Sequence, residues 1–167
     1  MQALLVPGML AAYVAAETAS LTAERLTVWD SQLPKNFHNY KVAFASDLHH
    51  GSFCGVRRMQ KMVRKMNDFD PDIMVLGGDY LQSLMSAKKN KKYLSFLGVE
   101  LKKLEAPDGV LAVLGNHDHE VGVEKVCQEF RDCNIKIINN DGVWIERGGE
   151  RIRIAGVGDL WYDKQDL

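Results

Sequence analysis

Three short apolar runs separated by amphipathic stretches constrain this chain more than any other feature. Lys41 to Ser46 has the pattern of a strand, while Asp72 to Leu76 and Gly109 to Leu114 are the continuous apolar runs of strands buried on both faces. Between the first two, Val56, Met59, Met62, Val63 and Met66 recur at helical spacing and predict a helix over 55–67, ended by Pro71. These methionines read as core. Tyr93, Leu94, Leu97, Leu101 and Leu104 form a second helical stripe closed by Pro107, and Val123, Val126, Cys127 and Phe130 a third that leads to Ile135 to Ile138. Strand, helix, strand, helix, strand is the pattern of βαβ units, so the expected fold is α/β, with helical and sheet layers and a largely parallel central sheet. Val143 to Glu146 and Arg151 to Ala155 flank Arg147-Gly148-Gly149-Glu150 as a hairpin would. Arg25 to Trp29 alternates like one more strand.

The 167 residues, 46% hydrophobic and 26% charged, suit one folded domain. With 21 Lys+Arg against 22 Asp+Glu the net charge is −1, so no nucleic-acid partner is expected: phosphate-backbone affinity comes from clustered excess Lys and Arg. Cys54, Cys127 and Cys133 have no CxxC spacing and read as reduced thiols. Met1 to Ala16 carries no charge and one strongly polar residue, Gln2. It is shorter than the roughly 20 apolar residues a spanning helix needs and lacks the basic start of a secretory signal. Three readings stay open: a membrane-anchoring helix or its remnant, a docking helix, or a cleaved signal. The expected organisation is an apolar N-terminal helix over 1–24 and the functional domain over 25–167.

The chemistry lies at the ends of the three central strands. The first ends in Asp47-Leu48-His49, the second in Gly77-Gly78-Asp79 and the third in Gly115-Asn116-His117-Asp118. In open α/β sheets the carboxyl ends of strands form the binding edge, so three distant clusters converge on one cleft. Carboxylate and imidazole together ligate zinc, iron or manganese, and residues i and i+2 leaving a strand point to the same side. Each piece also has a bland reading: Asp47 and Asp79 as caps of a turn or helix, Asn116 in a left-handed turn. Three consecutive βα units all ending in metal-competent residues are harder to explain by capping alone.

Ser46-Asp47-Leu48-His49-His50-Gly51, Pro71-Asp72-Ile73-Met74-Val75-Leu76-Gly77-Gly78-Asp79-Tyr80 and Leu114-Gly115-Asn116-His117-Asp118 resemble the first three blocks of the calcineurin-like metallophosphoesterases, in that family's order. The flanks resemble its bacterial branch of membrane-associated phosphodiesterases, in which an amino-terminal hydrophobic segment precedes a Tyr and a Glu, here Tyr13 and Glu17. The resemblance implies a hydrolase with two divalent ions, Mn, Fe or Zn. Asp47 and His49 would bind the first metal, Asp79 would bridge both, Asn116 would bind the second, and His117 would serve the leaving group as the catalytic residue. Two such cations clamp a phosphoryl group and acidify a bridging water into the attacking hydroxide, and imidazole suits proton donation to the departing oxygen.

Two departures accompany the resemblance. Gln82 stands where phosphatase-type relatives carry an acid beside the catalytic histidine, and residues 120–167 hold no histidine to match the family's later metal-binding blocks. The resemblance therefore implies a domain, and a sheet, cut at its carboxyl end, with too few ligands for a tight metal pair. The expected function is metal-dependent hydrolysis of a phosphodiester or pyrophosphate by a metal-bridged hydroxide. The substrate would be a phosphorylated small molecule or lipid-linked, and a membrane surface is a further partner. The expected place is the bacterial cell membrane, with the cytoplasm as the alternative. Competing readings are a non-catalytic module on the same fold, an inactive fragment lacking the later ligands, or an unrelated α/β binding domain, disfavoured by the absence of a Gly-rich phosphate loop. His50 and His119 read as solvated loop histidines with substrate contact as the alternative. Lys88-Lys89-Asn90-Lys91-Lys92 reads as a solvated helix start, with a phosphate or anionic headgroup site as the alternative.

Overall fold

The computed structural model describes residues 21–52, 54–82 and 86–166. Four parallel strands, β1 (Val42–Ala45), β2 (Ile73–Leu76), β3 (Val110–Ala112) and β4 (Ile135–Ile137), lie side by side in chain order. The crossovers are α1 (Val56–Asp68), α2 (Ala87–Leu101), and the pair α3 (Asn116–Val121) and α4 (Val123–Asp132). When each strand is laid down on the same side of its predecessor, right-handed crossovers put every helix on one face of the sheet. Accordingly α1 packs on α2 and α2 on α4. Their apolar stripes, with Met59, Met62, Val63 and Met66 from α1, Leu94, Leu97 and Leu101 from α2 and Val126 and Phe130 from α4, are buried against Ala43, Met74, Leu76 and Ala112. Each large side chain so buried contributes about 1.5–3 kcal/mol.

The other face is covered in part by an antiparallel hairpin, β5 (Asp141–Arg147) and β6 (Glu150–Gly156). Gly148 and Gly149 turn it with φ of 57° and 82°, the two left-handed positions of a tight two-residue hairpin loop. Val143, Ile145 and Ile154 pack over Ile73, Leu111 and Ile138. The hairpin is fastened at the sheet's amino-terminal edge by Arg147, whose guanidinium reaches Asp72 at 2.9 Å and Asp108 at 2.8 Å. Tyr40 donates to the same Asp108 carboxylate at 2.7 Å and lies under the Arg147 guanidinium, 4.7 Å from ring centroid to carbon.

The helices, the parallel sheet and the hairpin stand where the periodicity places them, within a residue or two at most boundaries. Two elements do not: α3 over Asn116–Val121 has no apolar stripe to announce it, and one expected strand is missing. Arg25 to Trp29 forms no strand, and Leu26 and Trp29 are 88% and 91% exposed. Alternation makes a segment able to join a sheet, but a strand exists only when a neighbour takes up its backbone groups, and among the described residues none does. Of the N-terminal helix expected over 1–24, residues 1–20 lie outside those described. Leu21 to Glu24 have no regular structure, although Leu21 packs on the core. Among the described residues no helix is long and apolar enough to cross a membrane. The three cysteines are free thiols.

Candidate metal centre

Past the strand ends, the β1 and β2 loops keep running side by side. Asp47 N–H donates to Gly78 O (3.1 Å), His49 N–H to Asp79 O (2.9 Å) and His50 N–H to Tyr80 O (2.9 Å). This continuation is made in an unusual conformation: Asp47, His49 and Asp79 have φ of 54°, 42° and 55°. Non-glycine residues held in the left-handed region cost of order 1–3 kcal/mol each and cluster at functional sites. Gly78, with φ of 95°, lies so close to the β3 loop that a Cβ there would sit 2.6 Å from Gly115 N. A side chain at Gly115 would in turn strike the Asp79 carboxylate. The small residues before the acid and the Asn thus let two loops touch, and the side chains that follow are brought together.

The result is a cluster of His49, Asp79 and His117, each offering a ligand atom within 4.8 Å of the others. His49 Nε2 lies 3.7 Å and His117 Nε2 3.9 Å from Asp79 Oδ2, while Asp47 Oδ1 stands 3.5 Å from His49 Nε2. The two imidazoles meet edge to face with centroids 4.7 Å apart. These separations exceed hydrogen-bond lengths. They match donors sharing one ion, since ligand bonds of ~2.0–2.2 Å put neighbouring donors roughly 3–4 Å apart. A divalent transition metal fits both this spacing and the donor chemistry. Asp47 lies at the exposed lip of the cluster and accepts from Ser46 Oγ at 2.6 Å. Asn116 is the half-buried first residue of α3, directly before His117. Of the residues singled out in the sequence, the structure gathers His49, Asp79 and His117 most tightly, with Asp47 beside His49 and Asn116 next in the chain to His117.

Beneath them lies a support that the sequence only hints at. Asp118 is fully buried, and its carboxylate accepts from the backbone N–H of Asp79 (2.9 Å), Tyr80 (3.0 Å) and Gly115 (2.9 Å). One side chain therefore ties the β2 loop to the β3 loop. Burial pushes its pKa up to about 6 against the opposing pull of those three donors. Buried Tyr80 adds a second tie: its hydroxyl donates toward Val113 O (2.6 Å) and Leu76 O (3.0 Å) and accepts from Gly78 N–H (3.2 Å). The signal for Tyr80 is its phenol, which needs a partner when buried.

Two histidines expected in solvent are not there. His50 is buried, its Nδ1 2.8 Å from Cys54 O and its ring edge-to-face with Tyr93 at 5.2 Å; burial lowers its pKa. His119 is largely covered, stacked on Tyr162 at 5.0 Å with Nε2 3.3 Å from Asp163. Both ring contacts are made by residues more than 40 positions downstream, which local polarity does not reveal. Gln82, where the resemblance leads one to expect an acid beside His117, accepts from Ser52 N–H at 3.2 Å.

The family model for calcineurin-like phosphoesterases matches residues 40–164. Among curated proteins, an uncharacterized metallophosphoesterase of Aquifex aeolicus is 32% identical over 90% of this chain and 54% of its own length. The phosphodiesterase YaeI of Escherichia coli is 29% identical over 73% of this chain and 44% of its own. The UDP-2,3-diacylglucosamine pyrophosphatase LpxG of Chlamydia muridarum is 33% identical over 60% of this chain and 30% of its own. The chain thus spans about half or less of the length of these relatives. In fold it resembles the crystal structure of TT1561 of Thermus thermophilus, with a TM-score of 0.50 and 15% identity over 72% of this chain and 49% of that one. The parallel sheet, the three loops that meet at its carboxyl edge and a family match over most of the chain lead to one statement: this chain belongs to the calcineurin-like phosphoesterase family.

Proposed function

We propose that the cleft at the carboxyl edge of the sheet hydrolyses phosphoesters with the help of divalent metal. The observation that carries the reading is the convergence of His49 and Asp79, from two loops in strained backbone, with His117 from the first turn of α3. Asp47, His49 and Asp79 hold one ion, and Asp79 with Asn116 contributes to a second. Manganese, iron and zinc all suit this donor set. A bound divalent cation supplies Lewis acidity toward phosphoryl oxygens and makes water acidic enough to attack at neutral pH. The chain's own residues do the rest. Asp118 and Tyr80 fix the loops so that the donors need not be ordered on binding, and His117 delivers a proton to the departing oxygen. No protein nucleophile is required. The relatives named as a phosphodiesterase and as a pyrophosphatase support a phosphodiester or pyrophosphate substrate, phosphorylated and small or lipid-linked, and with it a place at the membrane.

The test is titration of the 167-residue chain with Mn2+ by calorimetry, alongside turnover of a chromogenic phosphodiester. With three ligands for one ion and two for the other, metal binding is expected to be weak and turnover slow, and Asp79→Asn is expected to remove both. Turnover that survives Asp79→Asn or a chelator overturns the reading. Tight uptake of two equivalents with rapid turnover refutes the ligand assignment. His117→Asn separates the two roles open to this imidazole. As proton donor, its loss lowers kcat by about 10²–10⁴-fold with metal affinity retained; a fall in Mn2+ affinity instead makes it a ligand.

A further inference from the structure

Although the whole chain is nearly neutral, its charge is unevenly placed. The exposed first turns of α2 carry Lys88, Lys89, Lys91 and Lys92, and the only acid of that helix, Glu100, is buried at its far end, held by Lys103 Nζ (2.7 Å) and Gln60 Nε2 (3.1 Å). Glu129 of α4 flanks α2 at Gly98, again at the far end. Next to α2, the outward side of α1 adds Arg57 and Lys61. Lysines in the first turns of a helix work against its dipole, so intrahelical energetics do not explain them.

The register of the two helices shows where these lysines stand. Both helices follow strands of one parallel sheet and so run the same way. Gln60 of α1 faces Glu100 of α2, and Asn67 faces the backbone of Lys103 and Glu105. Level with the start of α1 is therefore about residue 96, and α2 projects past it by roughly nine residues, or ~13 Å. Tyr93 accordingly meets His50, the residue after His49. The lysine-bearing turns rise past the loop that carries the metal-competent histidine, at the rim of the cleft. The same exposed stripe continues through two apolar side chains, Phe96 at 44% and Val99 at 57% exposure, with Lys92 Nζ 5.6 Å from the Phe96 ring.

We infer that this face of α2, with Arg57 and Lys61 beside it, docks on an anionic phospholipid bilayer and brings the rim of the cleft to the membrane surface. Charge complementarity selects the occupant: clustered lysines are drawn to acidic headgroups within a Debye length. The apolar pair in the same stripe favours a bilayer over a soluble polyanion, because only the bilayer offers Phe96 and Val99 a place to bury. The inference does not rest on the proposed hydrolysis.

Sedimentation with vesicles, in chelator and without substrate, tests it. The probe is phosphatidylcholine alone against phosphatidylcholine with about a third phosphatidylglycerol, a strongly charged surface of the kind that attracts polybasic segments. The readout is the increment in affinity due to the acidic lipid, which an apolar segment inserting by itself does not produce. The increment is expected to shrink with salt and to fall about fivefold for each lysine changed in the series Lys88→Gln, Lys89→Gln, Lys91→Gln and Lys92→Gln. The affinity for the acidic vesicles is expected to fall severalfold in Phe96→Ser, and the increment to persist when all four lysines become arginine. Circular dichroism of each variant reports that α2 is intact, and the arginine variant decides the matter if the glutamine variants do not fold. No increment, or one indifferent to the lysines, overturns the inference. So does lysine-dependent binding of inorganic polyphosphate with no binding to acidic vesicles, which would make the partner a soluble polyanion. Loss of hydrolysis leaves every one of these readouts unmoved.

Discussion

The two edges of the parallel sheet bear similar residues in opposite conditions. At the amino-terminal edge Asp70 pairs with Lys41 Nζ at 2.9 Å, Asp72 accepts from Lys41 N–H at 2.6 Å and pairs with Arg147, and Asp108 is shared by Arg147 and Tyr40. At the carboxyl edge Asp47 and Asp79 face imidazoles at 3.5–3.9 Å, too far to hydrogen-bond, from backbone held in the left-handed region. Asp70 is left-handed too, but just past the end of α1, where such a residue commonly stops a helix. One edge engages its carboxylates within the chain, Asp72 and Asp108 holding the hairpin to the sheet. The other leaves them arranged for something not part of the chain. If the carboxyl edge holds metal as proposed, stability and function are separated along the strand axis, and substitutions at the two edges should fail in different ways.

The largest contrast is expected from Asp79→Asn. The amide keeps an oxygen for His117 N–H, which donates to Asp79 Oδ1 at 3.1 Å, and tolerates the left-handed backbone. Unfolding free energy in urea should change by less than about 1 kcal/mol, while Mn2+ affinity falls beyond detection. A large destabilisation would mean that the carboxylate is a structural group, and the contrast between the edges would collapse.

Asp118 should break the pattern in a way that sharpens it, because it lies at the functional edge and is built like a structural residue. Asp118→Ala leaves three backbone N–H donors, one buried and two partly buried, without their acceptor, at about 1–3 kcal/mol for each that stays dry. A loss of about 3 kcal/mol in urea is expected, together with weaker metal binding as the β2 and β3 loops part. Its titration gives a second handle. A carboxyl raised to about 6 from the ordinary 3.8 binds more protons folded than unfolded, so its contribution is greatest below pH 4 and declines as pH rises to 6, by about 3 kcal/mol in all. His50, lowered by burial, acts in the opposite sense over part of that range. Subtracting the profile of Asp118→Asn from that of the parent cancels His50 and isolates the decline; a flat difference would show that the three donors balance burial, and a difference that rises with pH that they outweigh it.

How much of this was legible in the chain depended on whether the cause was local. Met59, Met62, Val63 and Met66 announce their helix because burial follows the helical repeat, and Gly148-Gly149 announces its turn because two left-handed positions favour glycine. The site was legible for a related reason: three strands in register put their ends in one place, so Asp47, Asp79 and Asn116 could be grouped without knowing a distance. What was not legible needed partners far along the chain. Arg147 finds Asp72 and Asp108 only after the hairpin folds over the sheet, and His119 finds Tyr162 and Asp163. Arg25 to Trp29 erred the other way, since alternation states a capacity to pair and not a neighbour. The motif offers Asp118 as a group that orients a neighbour or binds backbone donors and not as a metal ligand, and it binds three such donors. Its burial, which gives it its role, belongs to the packed loops and not to the motif.

The smallest effects are expected at the amino-terminal edge. Arg147→Met keeps the aliphatic cover over Tyr40 and removes the fork, so the thermal midpoint should drop by a few degrees while Mn2+ titration stays unchanged. The acid limb of the same variant carries the finer argument. Burial raises the Asp72 carboxyl, but the Lys41 N–H and the Arg147 guanidinium outweigh it and hold the group below its ordinary value. A carboxyl lowered on folding binds fewer protons folded than unfolded. Its contribution is therefore whole above the unfolded pKa near 3.8 and is lost as pH falls through the still lower folded value. Without the guanidinium Asp72 moves back up, the folded and unfolded values approach, and the loss of stability below pH 4 becomes shallower than in the parent. If the two acid limbs superimpose, the Lys41 N–H alone holds Asp72 down, and the hairpin is fastened to the sheet through Asp108 instead.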